Sequence, residues 1–166
     1  MTEKNDKNHS VPKEIIIRTD DAAPEKTALL VVDDFPAYRR LLRLVIDAAF
    51  PTANVTFRMC ASGSEAVLAI QHGGKWDIGI IDLHLGDVPG EKIVEALRNS
   101  NRQMKILVLS GTPVDSNVYQ AVRTYADEFI AKDFMQSHLI PLLETWLGLV
   151  AVERPKGDKP DPEEDE

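Results

Sequence analysis

The sequence is poor in the residues on which several kinds of function depend. It has one cysteine, Cys60, which excludes an intramolecular disulfide and a cysteine-rich metal site. Lysine and arginine number 19 against 27 acidic residues, and the absence of any basic stripe argues against direct nucleic-acid binding. No apolar run approaches the roughly 18 residues of a membrane span, and the polar start lacks the apolar centre of a signal peptide. We therefore expect a cytoplasmic protein without membrane insertion.

The length of 166 residues predicts one folded domain between two polar ends. Residues 1–27 are predicted to be a polar N-terminal extension. Its one apolar island, residues 15–17, adds an edge strand, docks on a partner or is an incidental apolar patch. Residues 151–166 are rich in proline and acid and are predicted to be a disordered tail, because they bury too little apolar surface to become ordered. The folded domain is expected to span residues 28–150.

Between these ends, short apolar runs alternate with segments that have helical spacing or helix-start signals. Five such β–α pairs imply a parallel sheet that is covered by helices on both faces, with right-handed crossovers. The predicted strands are 28–33, 55–59, 77–82, 105–109 and 128–131. The predicted helices are 36–49, a second that opens at 62–65 and is closed by the glycines at 73 and 74, 91–99, a fourth from 112 and 135–149.

Local signals mark the ends and faces of several helices. The run Ser62–Glu65 is typical of a capping box at the start of the second helix. Asp133 is expected to cap the last helix. The apolar face of the first helix is predicted to consist of Leu41, Leu44, Val45 and Ala48.

Polar side chains end four of the five predicted strands. In an open parallel sheet the carboxyl ends of the strands lie along one edge, and such folds bind ligands there. Three carboxylates, a hydroxyl and an ammonium should therefore converge, which is a suitable site for a divalent cation and a phosphoryl group. The residues are Asp33 and Asp34 after the first strand, Asp82 after the third, Ser110 after the fourth and Lys132 after the fifth.

These residues, in this order, resemble the receiver domain of two-component response regulators of the chemotaxis-regulator type. The resemblance spans about residues 28–148. It implies an α/β fold of the flavodoxin-like, doubly wound (βα)5 kind, with a five-stranded parallel sheet in the order 2-1-3-4-5. Besides the five polar residues, the matching positions are Gly90 eight residues after Asp82, Gly111 directly after Ser110, and Phe129 three before Lys132.

The resemblance also implies a role for each matching residue. Asp82 is expected to accept the phosphoryl group, Lys132 to supply positive charge to it, and Ser110 with Phe129 to form the conformational switch. A bound Mg²⁺, which prefers hard oxygen ligands, would neutralise the repulsion between the two anions. The predicted metal ligands are Asp33, Asp34, Asp82 and the backbone carbonyl of His84, and the predicted phosphoryl-binding N–H groups lie near Leu83 and Gly111.

Three positions depart from the family pattern. Asp133 stands where many receivers have a proline after a cis bond. A cis bond before a non-proline residue costs about 2.5–4 kcal/mol, so the bond after Lys132 is expected to be trans. Gly86 stands where proline is common, which predicts a more flexible loop. Phe129 lacks the tyrosine hydroxyl and so offers no switching hydrogen bond.

The leading hypothesis is a stand-alone phosphoacceptor switch rather than an enzyme. It would take its phosphoryl group from a sensor histidine kinase or a phosphotransfer protein. Few residues follow position 150, so the output is expected to pass to an unknown downstream protein or along a relay, with a homodimer as a further possibility. The alternatives are a phosphorylation-independent binding or dimerisation module and a Mg²⁺-dependent phosphatase of the haloacid dehalogenase type. The missing Asp-x-Asp motif after the first strand disfavours the phosphatase.

Overall fold

The computed structural model describes residues 26–51, 53–111 and 116–148, apart from the side chain of residue 116. Within them, five parallel strands form one sheet in the order β2-β1-β3-β4-β5, which confirms the predicted fold class. A short 3₁₀ helix, Lys132–Phe134, joins the last strand to the last helix. The strands are β1 Thr27–Val32, β2 Val55–Cys60, β3 Ile78–Asp82, β4 Lys105–Ser110 and β5 Glu128–Ala131, and the helices are α1 Pro36–Ala49, α2 Gly63–Gln71, α3 Gly90–Ser100, α4 Ser116–Val122 and α5 Met135–Trp146.

The ends of the chain lie largely outside the described residues. β1 begins at Thr27, one residue earlier than the sequence predicted. The apolar island at 15–17 and the acidic tail at 151–166 fall on residues that are not described, and so does the predicted start of α4 at 112. Among the described helices, none is both long and apolar enough to cross a membrane.

The core consists of two apolar layers, one on each face of the sheet. Alternate residues of a strand point to opposite faces. Leu29 and Val31 accordingly pack in the layer covered by α1 and α5, whereas Leu30 and Val32 pack in the layer covered by α2, α3 and α4. Because both faces of β1 are buried, its sequence is a continuous apolar run rather than an alternating one.

The predicted face of α1 is wrong. The residues of α1 that are buried against the sheet are Leu42 and Ile46, while Leu41 and Leu44 are 38% and 68% exposed. Of the other two predicted residues, Val45 is half-buried and Ala48 is exposed. The helix carries two apolar stripes, and both have helical spacing. The direction in which the chain enters from β1 decides which stripe meets the sheet, and periodicity alone does not contain that direction.

The starts of α2 and α5 differ in how well the sequence predicted them. The Ser62 hydroxyl accepts a hydrogen bond from the Glu65 N–H at 3.1 Å, as a capping box requires. The Glu65 carboxylate reaches back to the N–H of Ala61 at 2.9 Å. Asp133 does not cap α5, because it lies inside the 3₁₀ helix and the residue before α5 is Phe134, which has no side-chain cap. This 3₁₀ turn places Phe134, rather than Asp133, directly before the first residue of α5.

The two stripes of α1 can be separated by a pair of substitutions. Leu42→Ala should lower the free energy of unfolding by about 2–5 kcal/mol, because it opens a cavity in the core. Leu44→Ala should change it by less than about 0.5 kcal/mol, because that side chain is mostly in solvent. Urea denaturation of both variants measures the difference. Equal losses would contradict the assignment of the buried face.

Candidate functional site

The register of the sheet brings the polar strand ends to one place. Asp82 is paired with the residue before Ser110, and Ser110 is paired with the residue before Lys132. On the other side, Asp33 directly follows β1, whose last residue pairs with the residue before Asp82. Each polar residue therefore lies within one residue of the level of its neighbour on the next strand, at the carboxyl edge of the sheet.

Burial at this edge is unusual for polar groups. In the part of the chain that the structure describes, three polar side chains are buried, and all three belong to the predicted site: Asp33 at 1%, Asp82 at 4% and Ser110 at 4% exposure. A buried charge is costly unless it is paired and hydrogen-bonded. The two carboxylates must therefore find partners within the protein.

Lys132 is the partner that the two buried carboxylates share. Its Nζ lies 2.7 Å from Asp33 Oδ2 and 2.6 Å from Asp82 Oδ2. The ammonium also lies 4.4 Å from the centre of the Tyr38 ring, and the Tyr38 hydroxyl donates to the Lys132 carbonyl at 3.4 Å. Burial alone would lower the pKa of Lys132, but the hydrogen bonds to Asp33 and Asp82 outweigh it and raise that pKa. Lys132 therefore stays charged between the carboxylates.

The remaining carboxylate oxygens fix the loops that leave the sheet. Asp33 Oδ1 accepts from the Phe35 N–H at 2.8 Å, and Asp82 Oδ1 accepts from the His84 N–H at 3.0 Å. Both are aspartate turns, in which a side chain bonds the backbone two residues further on. The Arg39 guanidinium donates to the Asp33 carbonyl at 2.6 Å and holds the first turn of α1 against the site.

Asp33, Asp34 and Asp82 form an acidic cluster that fits a cation. Each offers a carboxylate oxygen, and these oxygens all lie within 4.8 Å of one another. Burial raises the pKa of Asp33, although hydrogen bonds from Lys132 and Phe35 oppose this effect. The Lys132 ammonium forms ion pairs with two of the three carboxylates, and the His84 Nδ1 lies 4.0 Å from Asp82 Oδ1. Three carboxylates outnumber these two groups, so negative charge remains in excess. An all-oxygen, anionic donor set of this kind suits Mg²⁺.

The loop after β3 approaches the site so closely that it requires a glycine. The Gly90 N–H donates to the Leu83 carbonyl at 3.1 Å. A methyl group on Gly90 would lie 2.2 Å from the carbonyl oxygen of Asp82 and 2.5 Å from the Cα of Leu83. His84, whose carbonyl was predicted as a metal ligand, has a side chain that is 59% exposed.

The two predicted switch residues, Ser110 and Phe129, lie in different surroundings. Ser110 is buried beside the polar site, whereas Phe129 is half-buried in the apolar layer under α4. The Phe129 ring packs against Tyr119 with a centroid distance of 4.8 Å and an interplanar angle of 52°. Gly111 lies beside Lys132, since a methyl group there would be 3.7 Å from the Lys132 Cδ. Their functional roles stay predictions.

Two residues of the site were missed from the sequence, Tyr38 and Arg39. A helix that begins directly after an acidic pair must place its first turn near the sheet edge, so a neighbouring position was foreseeable. The partner of Tyr38 could not be foreseen, because its hydroxyl bonds the Lys132 carbonyl, which lies 94 positions further along the chain. The bond between Lys132 and Asp133 is trans, as expected, since no described peptide bond is cis.

Comparison with known proteins gives one family. The family model described as "Response regulator receiver domain" matches residues 29–144. A curated relative, two-component system protein A of Emericella nidulans, is 24% identical over 139 residues, which is 83% of this chain and 20% of that protein. The chain spans between about a fifth and half the length of the curated relatives that it matches.

Solved structures show the same fold. A CheY-like receiver domain protein from Methanospirillum hungatei has a TM-score of 0.64 and 20% identity, over 75% of this chain and 95% of that one. The response regulator TrrA of Thermotoga maritima, solved with Mg²⁺ and BeF, has a TM-score of 0.60 and 23% identity, over 72% of this chain and 98% of that one.

Gly86 in the loop after β3 and Gly90, the first residue of α3, should respond differently to alanine. Gly90→Ala should lower the free energy of unfolding by about 1–3 kcal/mol, because the methyl group collides with backbone atoms that have no free direction. The gain in helix propensity is at most about 1 kcal/mol. Gly86→Ala should be neutral within about 1 kcal/mol, since the nearest atom, Asp34 Oδ2, would be 3.7 Å from the new methyl. Urea denaturation distinguishes the two, and similar values would contradict the close approach at Gly90.

Removing the shared ammonium should expose the cost of the buried carboxylates. Lys132→Met should destabilise the fold at neutral pH by about 3–5 kcal/mol, because it leaves two buried charges unpaired. The loss should shrink as the pH falls: Lys132 lowers the pKa of Asp33, so removal of Lys132 should raise that pKa further, and protonation then relieves the unpaired charge in the variant. Lys105→Met is the control, since its pair with Asp127 is exposed and worth at most about 1 kcal/mol. A pH-independent loss in thermal and urea unfolding would contradict this account.

Proposed function

The chain belongs to the response regulator receiver domain family, and on that premise we propose that it is a phosphoacceptor switch with Asp82 as the acceptor. Receiver domains are signalling switches that work with histidine kinases and downstream effectors. The observation that carries the proposal is the shared ion pair, in which Lys132 holds the buried carboxylates of Asp33 and Asp82 at 2.7 and 2.6 Å. A sensor histidine kinase or a phosphotransfer protein is the proposed donor.

The proposed reaction is a transfer of the phosphoryl group between two anions. An oxygen of Asp82 forms a bond to phosphorus, and the bond between phosphorus and the donor breaks, with its electron pair leaving on the donor atom. The donor atom is an imidazole nitrogen of a phosphohistidine, or a carboxylate oxygen of a small acyl phosphate. The site offsets the repulsion with the positive charge of Lys132 and with hydrogen bonds from the Ser110 hydroxyl and the N–H groups near Leu83 and Gly111.

The acidic cluster is the proposed place for Mg²⁺. Asp33, Asp34 and Asp82 would hold it, and the carbonyl of His84 is a further candidate ligand. When bound, the ion supplies positive charge to the phosphoryl oxygens, which lowers the repulsion from Asp82. TrrA of Thermotoga maritima was solved with Mg²⁺ and BeF, which supports the same role for the cluster here.

The proposed signal is a shift between two conformations. The added phosphoryl group carries about −1.5 to −2 charges at neutral pH and attracts the hydroxyl of Ser110. Movement of Ser110 leaves space that Phe129 enters, and the packing of Phe129 on Tyr119 passes this movement to α4. The free energy for the shift must come from contacts that exist only in the phosphorylated state. A downstream protein, a relay partner or a second copy of the chain would bind the changed surface.

The proposal places the protein in the cytoplasm, where its phosphodonor and effector would be found. It assigns the protein no enzymatic activity on other substrates, only its own phosphorylation and dephosphorylation. Both statements depend on the assignment of Asp82.

Intact mass after incubation with Mg²⁺ and a small acyl phosphate tests the acceptor. The native chain should gain one phosphoryl group, Asp82→Asn should gain none, and a chelator should abolish the gain. Asp47→Asn is the matched control, because Asp47 is an exposed carboxylate paired with Arg43 within α1.

Two results would contradict the assignment of Asp82 as the phosphoryl acceptor. A gain in Asp82→Asn would place the acceptor elsewhere. No gain in the native chain would favour the phosphorylation-independent binding module.

A further inference from the structure

The loop after β3 is tied to a helix that carries none of the site residues. Asp87 Oδ1 accepts from the Gly63 N–H at 2.9 Å, and Asp87 Oδ2 accepts from the Ser64 N–H at 2.9 Å. These N–H groups belong to the first turn of α2, where they have no partner within the helix. A carboxylate 24 residues further along the chain therefore completes the N-terminal cap of α2, beside the contribution of Ser62 to Glu65.

Close packing accompanies these two hydrogen bonds. A methyl group on Gly63 would lie 2.6 Å from the Cβ of Val88 and 3.0 Å from its carbonyl oxygen. No side chain fits between α2 and the loop at this point. The loop is therefore held to α2 by a polar contact through Asp87 and by an apolar contact through the next residue.

The other side of the same loop faces the acidic cluster. The His84 N–H donates to Asp82 Oδ1 at 3.0 Å, and a methyl group on Gly86 would lie 3.7 Å from Asp34 Oδ2. The backbone of residues 84–86 thus lies beside two of the three carboxylates. Asp87 is the next residue, so a shift at Asp87 moves this backbone directly.

The charge of Asp87 favours a lasting attachment of the loop to α2. Hydrogen bonds from the side chain and backbone of Ser64, followed by the backbone of Gly63, hold the pKa of Asp87 well below its usual range. The group is therefore a carboxylate at any physiological pH. Charged acceptors form the shorter and stronger class of hydrogen bonds, and an anion at a helix N-terminus is also favoured by the helix dipole.

We propose that Asp87 is a positioning residue, which holds the loop of residues 83–89 against the N-terminus of α2 and thereby sets the cation affinity of the acidic cluster. This inference rests on the proposed function, because it takes Asp33, Asp34 and Asp82 as the cation site. It makes α2 part of the site's support although none of its side chains reaches the carboxylates.

The test measures Mg²⁺ affinity of the unphosphorylated full chain by isothermal titration calorimetry. Asp87→Ala should weaken binding about tenfold or more, in the range found when residues behind metal ligands are removed. Asp87→Asn keeps one carbonyl acceptor and should lie between Asp87→Ala and the native chain. In metal-free Asp87→Ala, hydrogen exchange of the Gly63, Ser64 and His84 amides should be faster, which is a readout independent of the cation.

Two further variants separate positioning from general stability. Ser62→Ala removes the other cap of α2 without touching the loop, so it should lower the melting temperature and leave Mg²⁺ affinity unchanged. Gly63→Ala keeps Asp87 but pushes Val88 away, so it should weaken Mg²⁺ binding as Asp87→Ala does.

Three outcomes would overturn the inference. Native affinity in Asp87→Ala would show that the tie does not position the site. Equal weakening by Ser62→Ala would reduce the effect to the stability of α2. If the native chain itself does not bind Mg²⁺, the proposed function falls, and this result is distinguishable because it appears before any variant is compared.

Discussion

The ammonium of Lys132 lies between two carboxylates that folding has removed from water, and the rest of the site depends on this arrangement. Asp33, Asp82 and Lys132 come from the ends of three different strands. A slip of one residue in any of them would leave a buried charge without its partner, which costs far more than a surface ion pair contributes. The site therefore constrains the register of the sheet as much as the sheet positions the site.

Even with this ion pair, the carboxyl edge of the sheet keeps an excess of negative charge. Three carboxylates outnumber the neighbouring basic groups, Lys132 and His84, and burial limits the screening of two of them, Asp33 and Asp82, by water. A hydrophobic pair would hold the strands together equally well, but it would attract neither a cation nor a phosphoryl group. The loops that leave the sheet are fixed to this site. Asp33 and Asp82 each accept a hydrogen bond from the backbone N–H two residues further on, and Gly90 allows α3 to begin against the carbonyl of Asp82.

The strands and the polar strand ends could be predicted from the sequence because both have local signatures. A strand buried on both faces is a short apolar run, and a ligand site of a parallel sheet lies where those runs end. The buried stripe of α1 could not be predicted, since two stripes share the helical period. Tyr38 and Asp87 were missed for another reason: their partners lie 94 and 24 positions away along the chain, and no sequence spacing connects them. Asp133 failed as a cap because a 3₁₀ helix follows β5 directly.

The strand order has a consequence for the way in which the chain folds. β1 lies between β2 and β3, so its two edges are satisfied by segments made at different times: Leu29 pairs with Phe57 on one side and with Ile78 on the other. Each pairing closes a long loop before any contact compensates the lost chain entropy, and topologies rich in such contacts fold slowly. As the chain emerges from the ribosome, β1 remains a half-paired apolar strand until β3 has followed it.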